Sequence, residues 1–409
     1  MKALIKKGLL FGLAVVFVSV TISLVVGEFI VKHTMPQETY GLARMVGLHF
    51  FEASPIIPFT LKKNVKDFLH IGFTREFNHK VSTNSWGIRG KEFSKDKEEG
   101  TYRILFLGDS MTFGWGVEDN QPYPTLVEKY LNDLKPLPGN YKNVEAINAA
   151  FTDGFTVDDY YLYYKEIGSK FKPDLVVVNF FPYNDISDLM ERSWEKVDNK
   201  GYPEKIVSTT HYVKDGYLIS KKKTNWKLEV PILRRYHLGI LFMNALEKGA
   251  PGVVAQIKKL LNIYEGKEPV TTDERLSCIY SMEQTNCPSL LWPNFEKAKF
   301  ILRGIRDLAR ENNQELLVTI MASPDQAVPL SEKADREKLL ETIQPQKYFK
   351  DFFKGEEINN LDLLPTLSES RAQRFFYKQD GHLGREGHDQ VAKEIVRYLR
   401  KTKPSIFPS

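Results

Sequence analysis

A short apolar run at 104–107, Ile-Leu-Phe-Leu, stops abruptly on Gly108-Asp109-Ser110. A buried parallel strand reads as a near-continuous apolar stretch of this kind, and the carboxyl ends of such strands are where an open α/β sheet presents side chains to a ligand. The run is one of a series. Residues 144–148, 175–180 and 316–321 read as further strands, with helical stretches near 123–134, 157–167 and 295–311. That alternation predicts an α/β fold, a three-layer α/β/α sandwich built on a parallel sheet.

A serine at a strand end needs a base, and the base needs a group to orient it. Asp380-Gly381-His382 can supply both from one short loop. The α/β-hydrolase elbow Gly-x-Ser-x-Gly does not occur in the chain. His388 also follows Asp380 and competes as the base. His382 is favoured, because an Asp two residues earlier can accept from its Nδ1–H and leave Nε2 facing Ser110, whereas His388 falls on the closing helix over 387–399, where packing or capping explains it. Asp109 suits an orienting or helix-capping role better than acid catalysis.

Four ordered blocks resemble the SGNH or GDSL-type hydrolases. They are Gly108-Asp109-Ser110; Asn148-Ala149-Ala150-Phe151-Thr152-Asp153-Gly154; the stretch from Pro173-Asp174 to Pro182-Tyr183-Asn184-Asp185; and Asp380-Gly381-His382-Leu383, the Asp-x-His variant also found in polysaccharide O-acetylation proteins. Ala150 and Pro182 stand where the family usually has Gly. The resemblance extends upstream through Asn84-Ser85-Trp86-Gly87-Ile88-Arg89-Gly90 and spans 84–190 and 290–400. It implies a Ser110-His382-Asp380 triad acting on an ester carbonyl. It also implies an oxyanion hole from the N–H groups of Ser110 and Gly154 and the amide of Asn184, the last held by Asp185 and the strand end.

No nucleotide-binding loop is present, and no metal-binding motif accompanies Asp-x-His, so neither a cofactor nor a catalytic metal is expected. The net charge of +5 is dispersed, which argues against a nucleic-acid partner. At the N-terminus, Lys2, Lys6 and Lys7 precede an uncharged apolar run over 8–27. About twenty helical residues cross a hydrocarbon core, and no small-x-small cleavage site follows, so an uncleaved signal anchor is expected. The basic flank would remain in the cytoplasm and the residues after Thr34 would lie outside it, on the periplasmic side. Cys278 and Cys287 bracket a polar stretch that a disulfide could close in an exported protein, with two free thiols as the alternative.

The expected organisation is a cytoplasmic flank and transmembrane anchor at 1–34, a β-rich lead-in at 35–100, and a catalytic domain at 101–190 and 291–400. An insert at 191–290, with a helical region over 238–261, is placed as a lid or substrate-reading surface. The expected activity is that of an extracytoplasmic serine esterase on O-acyl esters of a glycan or lipid. An O-acyltransferase using the same triad, and a catalytically silent glycan-binding protein on the same fold, are the alternatives.

Overall fold

The computed structural model describes residues 2–35, 37, 50–72, 74, 76–134, 137, 140–152, 154–221, 226–261, 272–331, 343–369 and 371–407. The chain divides into two compact units, one of 1–47 with 222–267 and a larger one of 48–221 with 268–409. The 191–290 segment is therefore shared between them.

The larger unit is built on five parallel strands: β1 (Thr101–Leu107), β2 (Asn143–Asn148), β3 (Leu175–Phe180), β4 (Glu315–Ile320) and β5 (Asn359–Asp362). Their order across the sheet is β2-β1-β3-β4-β5. Because alternate side chains point to opposite faces, each apolar strand feeds two cores. Leu105 and Leu107 of β1, Val176 and Val178 of β3, and Val318 and Ile320 of β4 enter one core, which they share with helices α4 (Val157–Glu166), α8 (Pro293–Glu311) and α9 (Gln344–Gly355). Ile104, Phe106, Leu175, Val177 and Leu317 enter the other, against α3 (Tyr123–Asn132) and α10 (Arg385–Thr402). Helices cover both faces, and the fold is the three-layer sandwich that the alternation predicts. β5 escapes the sequence reading because Asn-Asn-Leu-Asp at a sheet edge carries no apolar run.

Before β1, two antiparallel strand pairs join Phe51–Glu52 to Thr60–Leu61 and Phe68–Ile71 to Asn78–Val81. After β3, a short helix α5 (Pro182–Asp188) leads into two hairpins, Arg192–Val197 with Pro203–Ser208 and His211–Lys214 with Tyr217–Ser220. Cys278 and Cys287 are joined as a disulfide, with Cys278 fully buried.

In the smaller unit, α1 (Lys2–Thr34) is a 33-residue helix, and its stretch Leu10–Thr34 is long and apolar enough to cross a membrane. The helical region expected over 238–261 is two helices, α6 (His237–Gly249) and α7 (Pro251–Leu260). Pro251 cannot continue a helix whose carbonyls it would meet, but it suits the first position of a new one.

Candidate active site

In a sheet ordered 2-1-3-4-5, the crevice at the strand carboxyl ends lies where the order reverses, between β1 and β3. Ser110 follows β1, Asn184 follows β3, and Gly154 follows β2, so the topology alone brings three of the four blocks to one end of the sheet. Asp109 ends the strand in an extended conformation and caps the short helix α2 (Ser110–Phe113), its side chain accepting from the Met111 N–H at 3.0 Å. Ser110 is thereby fixed as the first residue of a helix.

The fourth block arrives on a tight turn. Gly381 takes φ +82°, a conformation costly for a residue with a Cβ, and its N–H donates to the Tyr377 carbonyl, while Tyr377 N–H donates to that of His382. Glu76 ties down the same loop by accepting from the N–H groups of Gln379 and Asp380, each at 2.9 Å. The result is a continuous hydrogen-bonded chain. His382 Nδ1 lies 2.5 Å from Asp380 Oδ1, and His382 Nε2 lies 2.8 Å from Ser110 Oγ. An imidazole protonated at Nδ1 donates to Asp380 and accepts from the Ser110 hydroxyl. Burial alone would push the Asp380 carboxyl up, but its hydrogen bond to His382 and the imidazole charge outweigh this and hold it below the usual carboxylate range.

Among the described residues, neither the Ser110 nor the Gly154 backbone N–H finds an acceptor in the protein. Gly154 sits at φ +75°, where glycine is at ease. Asn184 differs in one detail from the sequence expectation. Its amide nitrogen donates to Asp109 Oδ2 at 3.0 Å, and not to Asp185. Asp185 instead accepts from the Phe181 N–H at 2.7 Å and the Tyr160 hydroxyl at 2.9 Å, so it fixes the corner between β3 and α5. Since the amide has two N–H donors, the bond to Asp109 orients the group and leaves the other donor over. Burial pushes the Asp109 carboxyl above its ordinary value, opposed by the Asn184 hydrogen bond and the His382 charge.

Two further residues shape the site from outside the four blocks. Arg192, fully buried at the start of a hairpin strand, donates to the Gly154 carbonyl and pairs with Asp159 at 2.8 Å. Arg89, in the upstream block, donates to the carbonyls of Phe113, Gly114 and Val117 and so clamps the turn after α2. The competing base, His388, takes no part in this chain of bonds. It is buried in the first turn of α10, accepts from the Tyr123 N–H at 3.3 Å and stacks on the Tyr123 ring, and burial holds it down at about 3. Among the described residues, no group of three or more His, Cys, Asp or Glu side chains converges as a metal site.

No protein-family model matches the chain. No curated protein sequence matches it either. Among solved structures it is similar to a lipolytic protein of the G-D-S-L family from Desulfitobacterium hafniense, at 11% identity over 73% of this chain and 99% of that one, with a TM-score of 0.35. It is similar to a lipase/acylhydrolase from Enterococcus faecalis, at 12% identity over 73% and 96%, with a TM-score of 0.35. It is also similar to a catalytic mutant of an acetylxylan esterase from Geobacillus stearothermophilus, at 11% identity over 73% and 94%, with a TM-score of 0.36.

Proposed function

We propose that this chain is a membrane-anchored, extracytoplasmic serine esterase that hydrolyses O-acyl esters of a glycan or lipid. The observation that carries the reading is the unbroken chain from Asp380 through His382 to the Ser110 hydroxyl. Ser110 Oγ attacks the ester carbonyl as its proton passes to His382 Nε2, and a C–O bond forms as the carbonyl π pair moves onto oxygen. The oxyanion is met by the N–H groups of Ser110 and Gly154, which have no other acceptor among the described residues, and by the amide of Asn184. Collapse expels the alkoxide, which takes the proton from His382 and leaves as the alcohol. Water, deprotonated by the same imidazole, then releases the acid and restores Ser110. Asp380 keeps the imidazole in the tautomer that both halves require. The anchor reading draws on α1, whose apolar stretch exceeds the twenty or so residues a bilayer needs.

A fluorophosphonate probe tests the reading. It should label the wild type at Ser110 and not the Ser110→Ala variant, and the wild type alone should release acid from p-nitrophenyl acetate or an acetylated glycan. Equal turnover by both proteins would refute the assignment. Labelling without acid release, but with acyl transfer to a sugar, would point to a transferase.

A further inference from the structure

The smaller unit carries apolar surface that its own core does not use. In 226–261 the fully buried apolar side chains are Trp226, Ile240, Met243 and Val254, a cluster too small to hold a free-standing domain together in water. On the same segment Ile232 is 72% exposed, Phe242 57% and Leu260 83%, with Tyr236 and Val253 also open. The charge is equally uneven. Lys227, Arg234, Arg235, Lys248, Lys258 and Lys259 stand against Glu229 and Glu247, a net +4 (six minus two) in a chain whose whole excess is +5. Glu247 is engaged internally by Lys227 at 2.6 Å and Lys258 at 3.2 Å.

What sets the depth of this segment is its attachment to α1. The Glu28 carboxylate accepts from the N–H groups of His237 and Leu238, at 3.0 and 2.8 Å, and so caps the start of α6. Gly27 leaves room for the approach, since a Cβ there would stand 3.1 Å from Leu238. Gln37 fastens the next turn by donating to His237 Nδ1 at 2.9 Å and accepting from the Asn244 amide at 2.9 Å. Glu28 lies eighteen residues beyond Leu10, where the apolar stretch begins, a rise of about 27 Å at 1.5 Å per residue. A hydrocarbon core is about 30 Å thick. The start of α6 is therefore fixed near the level at which that core would end.

We infer that 226–261 is an interfacial element that lies in the headgroup and acyl boundary of the leaflet at the C-terminal end of α1, binding anionic phospholipid. Ile232, Phe242 and Leu260 enter the acyl region, and Arg235, Lys248 and Lys259 meet the phosphates. Apolar side chains beside cationic ones, on short helices at that depth, are what such a boundary takes up. The inference rests on α1 being a membrane anchor.

Spin labels separate the two statements. Full-length protein is reconstituted in phosphatidylethanolamine–phosphatidylglycerol vesicles with a label at Phe17→Cys, Phe242→Cys, Leu260→Cys or Lys354→Cys, and the accessibility of each to oxygen and to an aqueous nickel chelate is compared. Oxygen should exceed nickel at 17, 242 and 260, with the reverse at 354. The preference at 242 and 260, but not at 17, should weaken in purely zwitterionic vesicles. Lipid-like behaviour at 17 with water-like behaviour at 242 and 260 would overturn the inference and leave the anchor standing. Water-like behaviour at 17 would remove the anchor and this inference together. Shielding of 242 and 260 from both reagents, with spin–spin broadening, would mean that a second copy covers the face and would overturn the bilayer as occupant.

Discussion

The two units solve the problem of burying apolar surface in opposite ways. The larger one splits its apolar residues between the two faces of a parallel sheet and covers both, so that Ile104, Leu105, Phe106, Val176 and Val177 are shut off from solvent. Its buried arginines are paired with carboxylates, Arg192 with Asp159, Arg103 with Glu145 and Arg89 with Asp119. The smaller one leaves most of the apolar stretch of α1 exposed, Phe11, Phe17 and Val25 among it, and carries open Ile232, Phe242 and Leu260. Sequence hydrophobicity is high in both. The difference is whether the chain itself supplies the cover, and it teaches that the larger unit answers to water and its pH while the smaller one answers to whatever solvates its apolar face.

The sharpest break in this comparison is catalytic. His382→Ala and Asp380→Ala should each lower turnover by orders of magnitude, on the scale of about 10⁴ to 10⁶ for residues of a serine triad. The membrane attachment proposed for the smaller unit should not change. His388→Gln should retain activity, since the side chain contacts Tyr123 and not Ser110. Steady-state kinetics on p-nitrophenyl acetate decides between them, and an inactive His388→Gln beside an active His382→Ala would reverse the assignment of the base.

A smaller effect is expected at Asn184. Asn184→Ala should lower kcat by about 10²- to 10³-fold, with little change in KM, as for one lost oxyanion donor. Asp109→Asn should also slow the reaction, because an amide in place of the carboxylate weakens the bond that aims Asn184. An unchanged kcat in Asn184→Ala would reduce the residue to a turn former.

That pair of variants marks how far the sequence could be read. Local signals carried well. The abrupt end of an apolar run located Ser110, and a two-residue spacing placed His382 against Asp380, because both depend on the geometry of a few consecutive residues. The partner of Asn184 was misread as its neighbour Asp185, whereas the actual contact is with Asp109, seventy-five positions away. Arg192 on Gly154 is likewise a product of topology, with no pattern in the chain to announce it, and Arg89 stands in the upstream block that carries the resemblance, but its contacts with the turn after α2 are not legible there. The break between α6 and α7 is marked by Pro251, within a stretch whose apolar spacing by itself reads as one helical region. The dependence of α6 on Glu28 was not legible, since it joins segments some two hundred residues apart.

The pH response should separate the units next. Burial holds His70 at about 3, His79 at about 2 and His388 at about 3, all below the ordinary 6.5. A folded value below the unfolded one gives stability that is present above pH 6.5 and is lost as pH falls toward the folded value. Each such histidine contributes a slope of up to about 1.4 kcal/mol per pH unit in that window. The histidine contribution to the stability of the larger unit should therefore fall between pH 6.5 and 4, while buried carboxyls held above their ordinary value, Asp109 and Asp188 among them, work in the opposite direction over the same window. His388→Gln should cost stability at pH 7.5 and narrow its deficit at pH 4.5, as measured by urea unfolding at both values. Parallel pH profiles for the two proteins would exclude His388 from the acid response.

The smallest effect belongs to the smaller unit. The Glu28 carboxylate accepts from two N–H groups at the start of α6, where the helix dipole also favours negative charge. Glu28→Gln keeps one acceptor and removes the charge. The loss should be about 0.3–1 kcal/mol, the usual range for a charge at a helix terminus. Read as local opening, that is roughly a two- to fivefold faster hydrogen exchange at the His237 and Leu238 amides, with esterase turnover unaltered. Exchange unchanged at those two amides would show that the close approach of Leu238 to Gly27 holds α6 without the carboxylate. A change in turnover would show that the two units are energetically coupled, and the contrast drawn between them would then fail.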